Sequence, residues 1–433
     1  MPRIGLICVS AIPDDPRVRR QGDLFHARGW GVVAVGLPGA LSSPPEWPCH
    51  AISVEQATTP SDTSLELGGK GGCGSAPPVP RSAIHRTAAR VLRSVAHRTR
   101  RAKDTALVYL NPRYAETAYW ALHSRFEQLY ALARSERVDI WLANDWTALP
   151  IARRLAAEQG VPYAYDTHEL AVDEYAQRMI WRLTQRPVIA GIEREGIAGA
   201  AVTSCVSQGI VDRLHGLYGL SKKPLLIRNM PRYEPHAHRS CGDAIEVLYH
   251  GVVNVGRGLE ACIDSVALWR PEFRLTIRGP GPGEYLAALA ARIQKAGLGE
   301  RVVLAPPVPM IDLVEEAARF DVGLFALPGH SKQNLHVLPN KFFEYTMAGL
   351  ALCVSDLPEM SALLRQHELG RLISDVTPRA IAEAINGFDR DEIDACKRRA
   401  LEAAKTLNWE AEADRLFAAI EEAVSVARAK AAA

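Results

Sequence analysis

The chain has no stretch of about 18 consecutive apolar residues, the length a helix needs to cross a bilayer. Its eight cysteines (Cys8, Cys49, Cys73, Cys205, Cys241, Cys262, Cys353 and Cys396) include no C-x-x-C pair, which argues against a zinc ribbon or a dithiol redox motif. Cys8, Cys205 and Cys353 lie in or beside apolar runs, as small buried thiols commonly do, so a reduced protein is expected. The first loop, Ser10 to Pro16, lacks G-x-G-x-x-G, and no acid closes the next apolar run to take a ribose. That argues against a nicotinamide dinucleotide. Excess charge is lacking too: 51 Lys and Arg against 49 Asp and Glu give a net +2, so no general affinity for polyanions follows. Acids are missing altogether from one stretch, Arg81 to Lys103, which holds Arg81, Arg86, Arg90, Arg93, Arg98, Arg100, Arg101 and Lys103. Ile84, Ala88, Val91, Leu92 and Val95 recur there at helical spacing. A basic amphipathic helix is expected, either solvated or resting on an anionic membrane surface. The same stretch has no aromatics to stack on bases, so nucleic acid is not the expected partner. The opening MPRIGLICVSAIPDD has too short an apolar run for a signal peptide, and a cytoplasmic protein is expected, with 81–103 a candidate contact to the inner face of a membrane.

What the chain does have is a repeated alternation of short apolar runs and amphipathic segments, the pattern of parallel α/β sheets. With 433 residues, 48% hydrophobic and 23% charged, it has length for two full cores. Ile4–Val9, Val32–Val35, Val138–Ala143, Pro162–Tyr165, Ala201–Val206 and Leu225–Ile227 read as strands of a first half. After a polar linker, Arg232 to Asp243, the pattern restarts with Glu246–Tyr249, Phe273–Ile277, Val302–Leu304, Asp321–Ala326 and Leu350–Val354. Helices are expected over Arg17–Arg28 (closed by Gly29), Tyr114–Arg134, Ile180–Gly199 and Trp409–Ala427. The Pro-, Gly- and Ser-rich segment from Leu37 to about Pro80 reads as loop or insertion.

The stretch Leu338 to Gly349 carries the most chemistry. It opens a helix after a buried strand and the polar loop Gly329 to His336, and ligands of such sheets sit where strands feed helix N-termini. Free N–H groups, the helix dipole and Lys341 suit a phosphate there. Glu344 follows at i+3 on about the same face, placed to hold hydroxyls. Two polar clusters close strands of the first half: Asn144-Asp145-Trp146 and Asp166-Thr167-His168-Glu169. Asp389-Arg390-Asp391 mimics an Asp-x-Asp metal motif, but it follows Asn386-Gly387 and opens a helix, so capping explains it better and no metal is expected.

LPNKFFEYTMAGLALCVSDLPE resembles the second half of the Glu-x7-Glu donor motif of family 4 glycosyltransferases of the GT-B type. Glu344 matches the second Glu, while the position eight before it is His336. DPRVRRQGDLFHARGWGVVAVG is similar to that family's opening, and LANDWTALPIA with VPYAYDTHEL to the segment that closes with YD-x-HE. HGVVNVGRGLE is similar to its glycine turn, with Arg257 in the place of the diphosphate-clamping base and Val252 where an Arg is usual. The resemblance covers most of the chain except about residues 40–112. It implies two doubly wound Rossmann-like domains facing across a cleft: an acceptor-side domain over residues 1–235 (with the insertion at about 40–112), a nucleotide-sugar domain over 236–408, and a helix over 409–433 crossing back. It implies a retaining glycosyltransferase moving a sugar from a nucleoside diphosphate to a hydroxyl of a glycan or lipid-linked acceptor, without a metal cofactor. His168, Arg257, Lys341 and Glu344 would be the catalytic residues. Gly251, Arg257, Arg278, Gly279, Val308, His336, Leu338, Pro339, Asn340, Lys341 and Glu344 would bind donor. Asp15, Arg17, Asp145, His168 and Glu169 would lie on the acceptor side. A GT-B epimerase or hydrolase of nucleotide sugars, or a non-catalytic sugar-nucleotide-binding partner of a glycan assembly, are the competing expectations.

Overall fold

The computed structural model describes residues 1–39, 41–52 and 103–432. Among these described residues thirteen strands form two sheets, every pairing parallel. The first sheet contains β1 (Arg3–Ala11), β2 (Gly31–Leu37), β3 (Cys49–Ala51), β4 (Ile140–Asn144), β5 (Tyr163–Thr167), β6 (Val202–Cys205) and β7 (Leu225–Leu226), in the order β3-β2-β1-β4-β5-β6-β7. The second contains β8 (Ile245–His250), β9 (Phe273–Arg278), β10 (Val302–Ala305), β11 (Val322–Phe325), β12 (Ala351–Ser355) and β13 (Gly370–Ile373), in the order β10-β9-β8-β11-β12-β13. Strand order reverses between β1 and β4 and again between β8 and β11. At such points neighbouring loops part to opposite faces and leave a crevice at the carboxyl ends. Central strands are buried throughout and mostly apolar because helices cover both faces: β4 reads IWLAN and β12 ALCVS, buried at every position.

Four details depart from the sequence expectation. Tyr114–Arg134 is two helices, Tyr114–Trp120 and Ser124–Ala133, because His123 adopts extended backbone and interrupts the ladder. Ile180–Gly199 is likewise split into Met179–Thr184 and Arg186–Gly199, where Pro187 enters the second helix at a first-turn position that needs no N–H donor. The loop before the Leu338 stretch contains a short helix, Lys332–His336, capped by the Ser331 hydroxyl. Within the Pro- and Gly-rich segment, Cys49–Ala51 adds an edge strand to β2. The expected basic helix over 81–103 lies outside the described residues but for its last residue.

Pairing between the halves is tight. The final helix, Trp409–Ala432, returns to the first sheet, where Phe417 packs on Phe25 and Trp30 and Arg428 pairs with Asp139 at 2.7 Å. Leu170 N donates to Gln333 Oε1 at 2.6 Å, and Ser207 Oγ donates to the His336 carbonyl at 2.6 Å. Asn229 in the connecting segment accepts from Arg20 Nη1 at 2.7 Å and donates to Asn340 Oδ1 at 3.0 Å. These bonds fix the crevice of one sheet opposite that of the other.

The first half is itself assembled around one buried carboxylate. Asp166, at the end of β5, accepts from Arg17 Nε and Nη2, both at 2.7 Å, from Gln21 Nε2 at 2.7 Å and from Ser204 Oγ at 2.5 Å. Arg17 also donates to the Ile227 carbonyl at 2.8 Å. Burial pushes the Asp166 carboxyl up, but the Arg17 charge and hydrogen bonds from His168 and Arg17 outweigh it and hold the carboxyl far below the usual range. Arg17 is 1% exposed and Asp166 wholly buried, so removing the acid strands a guanidinium in apolar surroundings. Asp166→Asn is expected to cost about 3–5 kcal/mol in urea unfolding, and a loss below about 1 kcal/mol would contradict this account of the hub.

Candidate active site in the interdomain cleft

A cleft of about 550 Å³ opens between the two crevices. Its C-terminal wall is built at the ends of β8, β9 and β11. Gly251 and Gly279 let the loops after β8 and β9 run side by side: Gly251 N donates to the Arg278 carbonyl at 3.0 Å, and a Cβ on Gly279 (φ +149°) would fall 1.9 Å from the Gly251 carbonyl oxygen. Bare backbone therefore faces the cleft, where a phosphate can approach it closely. The helix Asn340–Met347 enters from the next crevice. Phe342, Phe343, Tyr345 and Met347 anchor it in the core, each contributing about 1.5–3 kcal/mol of burial. Tyr345 Oη accepts from His250 N at 3.0 Å and so ties that helix to β8.

Lys341 projects from the first turn. Its Nζ lies 4.2 Å from the Phe325 ring centroid and 5.2 Å from that of Tyr249. Burial, then the Arg257 charge, push the amine down to about 7. Arg257 lines the same cleft, and among the described residues neither cation has a carboxylate within ion-pair distance. Glu344, one turn on, is almost fully buried with Oε2 2.8 Å from His250 Nε2. Burial raises its carboxyl, yet the hydrogen bond and charge of His250, with Arg20 and Lys341, bring it below the ordinary value. His250 was not singled out from sequence; a lone histidine before a glycine at a strand end gives no hint of a partner in another helix. Gln333 and Asn229 also line the cleft and were missed for the same reason.

Val252, Val308, Leu338, Pro339 and Asn340 line the C-terminal wall with Gly251, Arg278 and Gly279. Arg278 also leans on the Phe320 ring and lies 3.6 Å from Glu316, so its charge is partly answered. His336 does not line the cleft. The short helix Lys332–His336 turns its ring onto Gly209 of the opposite domain, where a Cβ would meet Nδ1 at 2.3 Å. Its expected donor contact is corrected to an interdomain one.

On the N-terminal wall His168 faces the cleft, with Nε2 3.1 Å from Asn144 Oδ1 and 3.4 Å from Asp166 Oδ2. Burial lowers its imidazole, but the Asp166 carboxylate overcomes this and raises it. Glu169 lines the cleft beside it, its carboxyl raised by burial and by Asp145. Asp15 caps the helix Pro16–Ala27 through bonds to Arg17 N and Val18 N while bordering the cleft. Arg17, expected on the acceptor side, does line the cleft, with its guanidinium committed to Asp166, while Asp145 (φ +69°) is not among the lining residues. Asp389 caps the helix Arg390–Ala404 by accepting from Glu392 N at 2.8 Å. Among the described residues no group of three His, Cys, Asp or Glu is placed to hold a metal ion.

The family model described as "Glycosyl transferases group 1" matches residues 244–391. The C-terminal domain belongs to the group 1 glycosyltransferases. Around this glycosyltransferase domain the whole chain has the GT-B fold, two Rossmann-like α/β domains, as three solved structures show. The sucrose-phosphate synthase (tll1590) of Thermosynechococcus elongatus superposes with a TM-score of 0.68 at 16% identity, covering 98% of this chain and 100% of that one. Anabaena Alr3699/HepE, in complex with UDP and glucose, gives 0.66 at 12% identity, covering 98% and 100%. WaaG, a glycosyltransferase involved in lipopolysaccharide biosynthesis, gives 0.61 at 13%, covering 95% and 98%. Comparison with curated protein sequences gave no match. No helix among the described residues is long and apolar enough to cross a membrane.

The Lys341 amine gives the cleft a pH signature. Below pH 7 it is already charged; above, an arriving dianion has to draw a proton onto it. Binding of whichever of UDP, GDP, ADP or dTDP the protein accepts is expected to take up close to a proton at pH 8, and to weaken by up to about tenfold per pH unit from 7 to 9. Calorimetry in buffers of different ionisation enthalpy measures both, and Lys341→Met is expected to flatten the slope. A wild-type protein that takes up no proton at pH 8 would contradict the placement.

Proposed function

We propose that this glycosyltransferase moves a sugar from a nucleoside diphosphate sugar to a hydroxyl of a glycan or lipid-linked acceptor, with retention at the anomeric carbon. The observation carrying the proposal is the pair of cations, Arg257 and Lys341, facing bare glycine backbone in a cleft of about 550 Å³. As the sugar–phosphate bond breaks, negative charge gathers on the departing diphosphate; fixed cations and a helix N-terminus in a water-poor site stabilise it most at that moment. They supply the neutralisation that a divalent cation would otherwise give, so turnover is proposed to persist in chelator. Glu344, kept ionised beside His250, is assigned to donor hydroxyls. His168, held by Asp166 and Asn144, is assigned to the transferred sugar or its phosphate, and Glu169 and Asp15 to the acceptor mouth.

The proposed step is a front-face substitution. The bond from the anomeric carbon to the phosphate oxygen breaks, the bond to the acceptor oxygen forms on the same face, and the acceptor proton passes to the departing phosphate. Support comes from the family resemblance and from the group 1 domain.

A panel of UDP-, GDP-, ADP- and dTDP-sugars, incubated with an oligosaccharide or lipid-linked acceptor extract and EDTA, tests this reading. One donor is expected to release nucleotide only with acceptor, the product keeping the donor's anomeric configuration by NMR. Glu344→Ala is expected to lower kcat/KM by at least about tenfold, the loss of one charge-assisted contact. Release that ignores acceptor would instead assign a hydrolase or epimerase, and binding without turnover a non-catalytic role.

A further inference from the structure

Outside the cleft, the first domain exposes a cluster of large apolar side chains that no part of the described chain covers. In the helix Met179–Thr184, Met179 is 70% exposed, Ile180 78% and Leu183 55%; beside it Tyr109 is 59% and Leu110 82% exposed. The two segments are joined, since Tyr109 Oη donates to the Leu183 carbonyl at 3.3 Å and Thr105 Oγ1 to the Thr184 carbonyl at 3.0 Å. Nor is the short helix loose. Trp181, on its opposite side, is buried against Tyr175 at 5.9 Å, and Arg186 just beyond binds the Val172 carbonyl and Asp173. A firmly held helix thus presents Met, Ile and Leu outward. A folded soluble surface rarely gathers such side chains without using them.

The charges around the cluster indicate what it meets. Lys103, Arg113, Arg178 and Arg182 are exposed around it, and the half-buried Asp104 is the one acid in 103–114 and 177–183. Among the described residues no carboxylate pairs with any of these four. Aliphatic side chains at the centre, tyrosine at the margin and unopposed cations around them match the layered chemistry of a bilayer interface, acyl chains under anionic headgroups. In sequence, Arg81–Lys103, eight basic residues without an acid, immediately precedes the segment carrying Tyr109 and Leu110.

We propose that this face, centred on Met179, Ile180 and Leu183 with Tyr109 and Leu110, is a docking surface for an anionic lipid bilayer. The aliphatic side chains insert at the acyl boundary and the arginines lie at headgroup level. The inference goes beyond the transfer reading and stands on the surface alone.

The test is flotation of the full chain with vesicles of phosphatidylcholine alone and of phosphatidylcholine with phosphatidylglycerol. Wild type is expected to float with the anionic vesicles, less so in high salt, and not with the neutral ones. Met179→Ser/Ile180→Ser/Leu183→Ser, all exposed positions, is expected to keep the wild-type Tm and lose partitioning by at least about tenfold, the worth of one buried aliphatic side chain. A second variant with the 81–101 arginines changed to glutamine separates the basic stretch from this face. Wild type that fails to float, or a triple variant that floats like wild type, overturns the proposal. So does a concentration-dependent dimer in sedimentation that the triple substitution dissolves while wild type ignores vesicles, which would assign the face to a second copy.

Discussion

Two positive charges, Arg257 and Lys341, share a cleft in which neither has a carboxylate within ion-pair distance, Glu344 and Glu169 answering them only from further off. That is a costly arrangement in an empty protein, because charge in a low-dielectric site is neutralised or paired unless something keeps it. Here the strain shows as a lysine amine brought down to about 7. The rest of the C-terminal domain accommodates this pair: glycines at 251 and 279 bare the backbone, Tyr345 fastens the helix that carries Lys341, and His250 occupies the Glu344 carboxylate so that it does not turn to the lysine. An anionic ligand relieves the repulsion, and relief grows as the ligand gains charge.

The first domain answers with the opposite logic. Asp166 draws Arg17, Gln21, Ser204 and His168 onto one carboxylate and leaves no charge there unpaired. A carboxylate paired in this way holds geometry rather than ligand. It fixes His168 at the cleft, where Asn144 Oδ1 shares the ring's Nε2 with Asp166. Between the walls, the Arg20–Asn229–Asn340 chain of hydrogen bonds sets the N-terminus of the Lys341 helix relative to the first sheet.

Much of this was legible in sequence where a function is carried by one continuous segment. The parallel strands, Lys341 with Glu344 one turn on, and Asp389 as a helix cap could all be read from spacing. What could not be read were partners distant in the chain. Arg17 reads as a cleft residue and is one, but nothing near it in sequence shows that Asp166, 149 positions later, takes its guanidinium. His336 fell at the right count from Glu344, but counting residues does not show that a single helical turn aims the ring at Gly209. His250 looked like the last residue of a strand until the neighbouring helix brought Glu344 to 2.8 Å. The exposed face on Met179–Thr184 was hidden by its own composition, since MIWRLT reads as core until the backbone shows Trp181 alone turned inward.

The account rests on the two unpaired cations holding a diphosphate, and calorimetry with matched nucleotides tests that most directly. A nucleoside diphosphate is predicted to bind at least about tenfold tighter than the monophosphate of the same base, one charge-assisted contact or more apart. The gap is predicted to close when Arg257 and Lys341 are both changed to methionine. If mono- and diphosphate bind the wild-type protein alike, the cations have another purpose and the cleft is not the donor site described here.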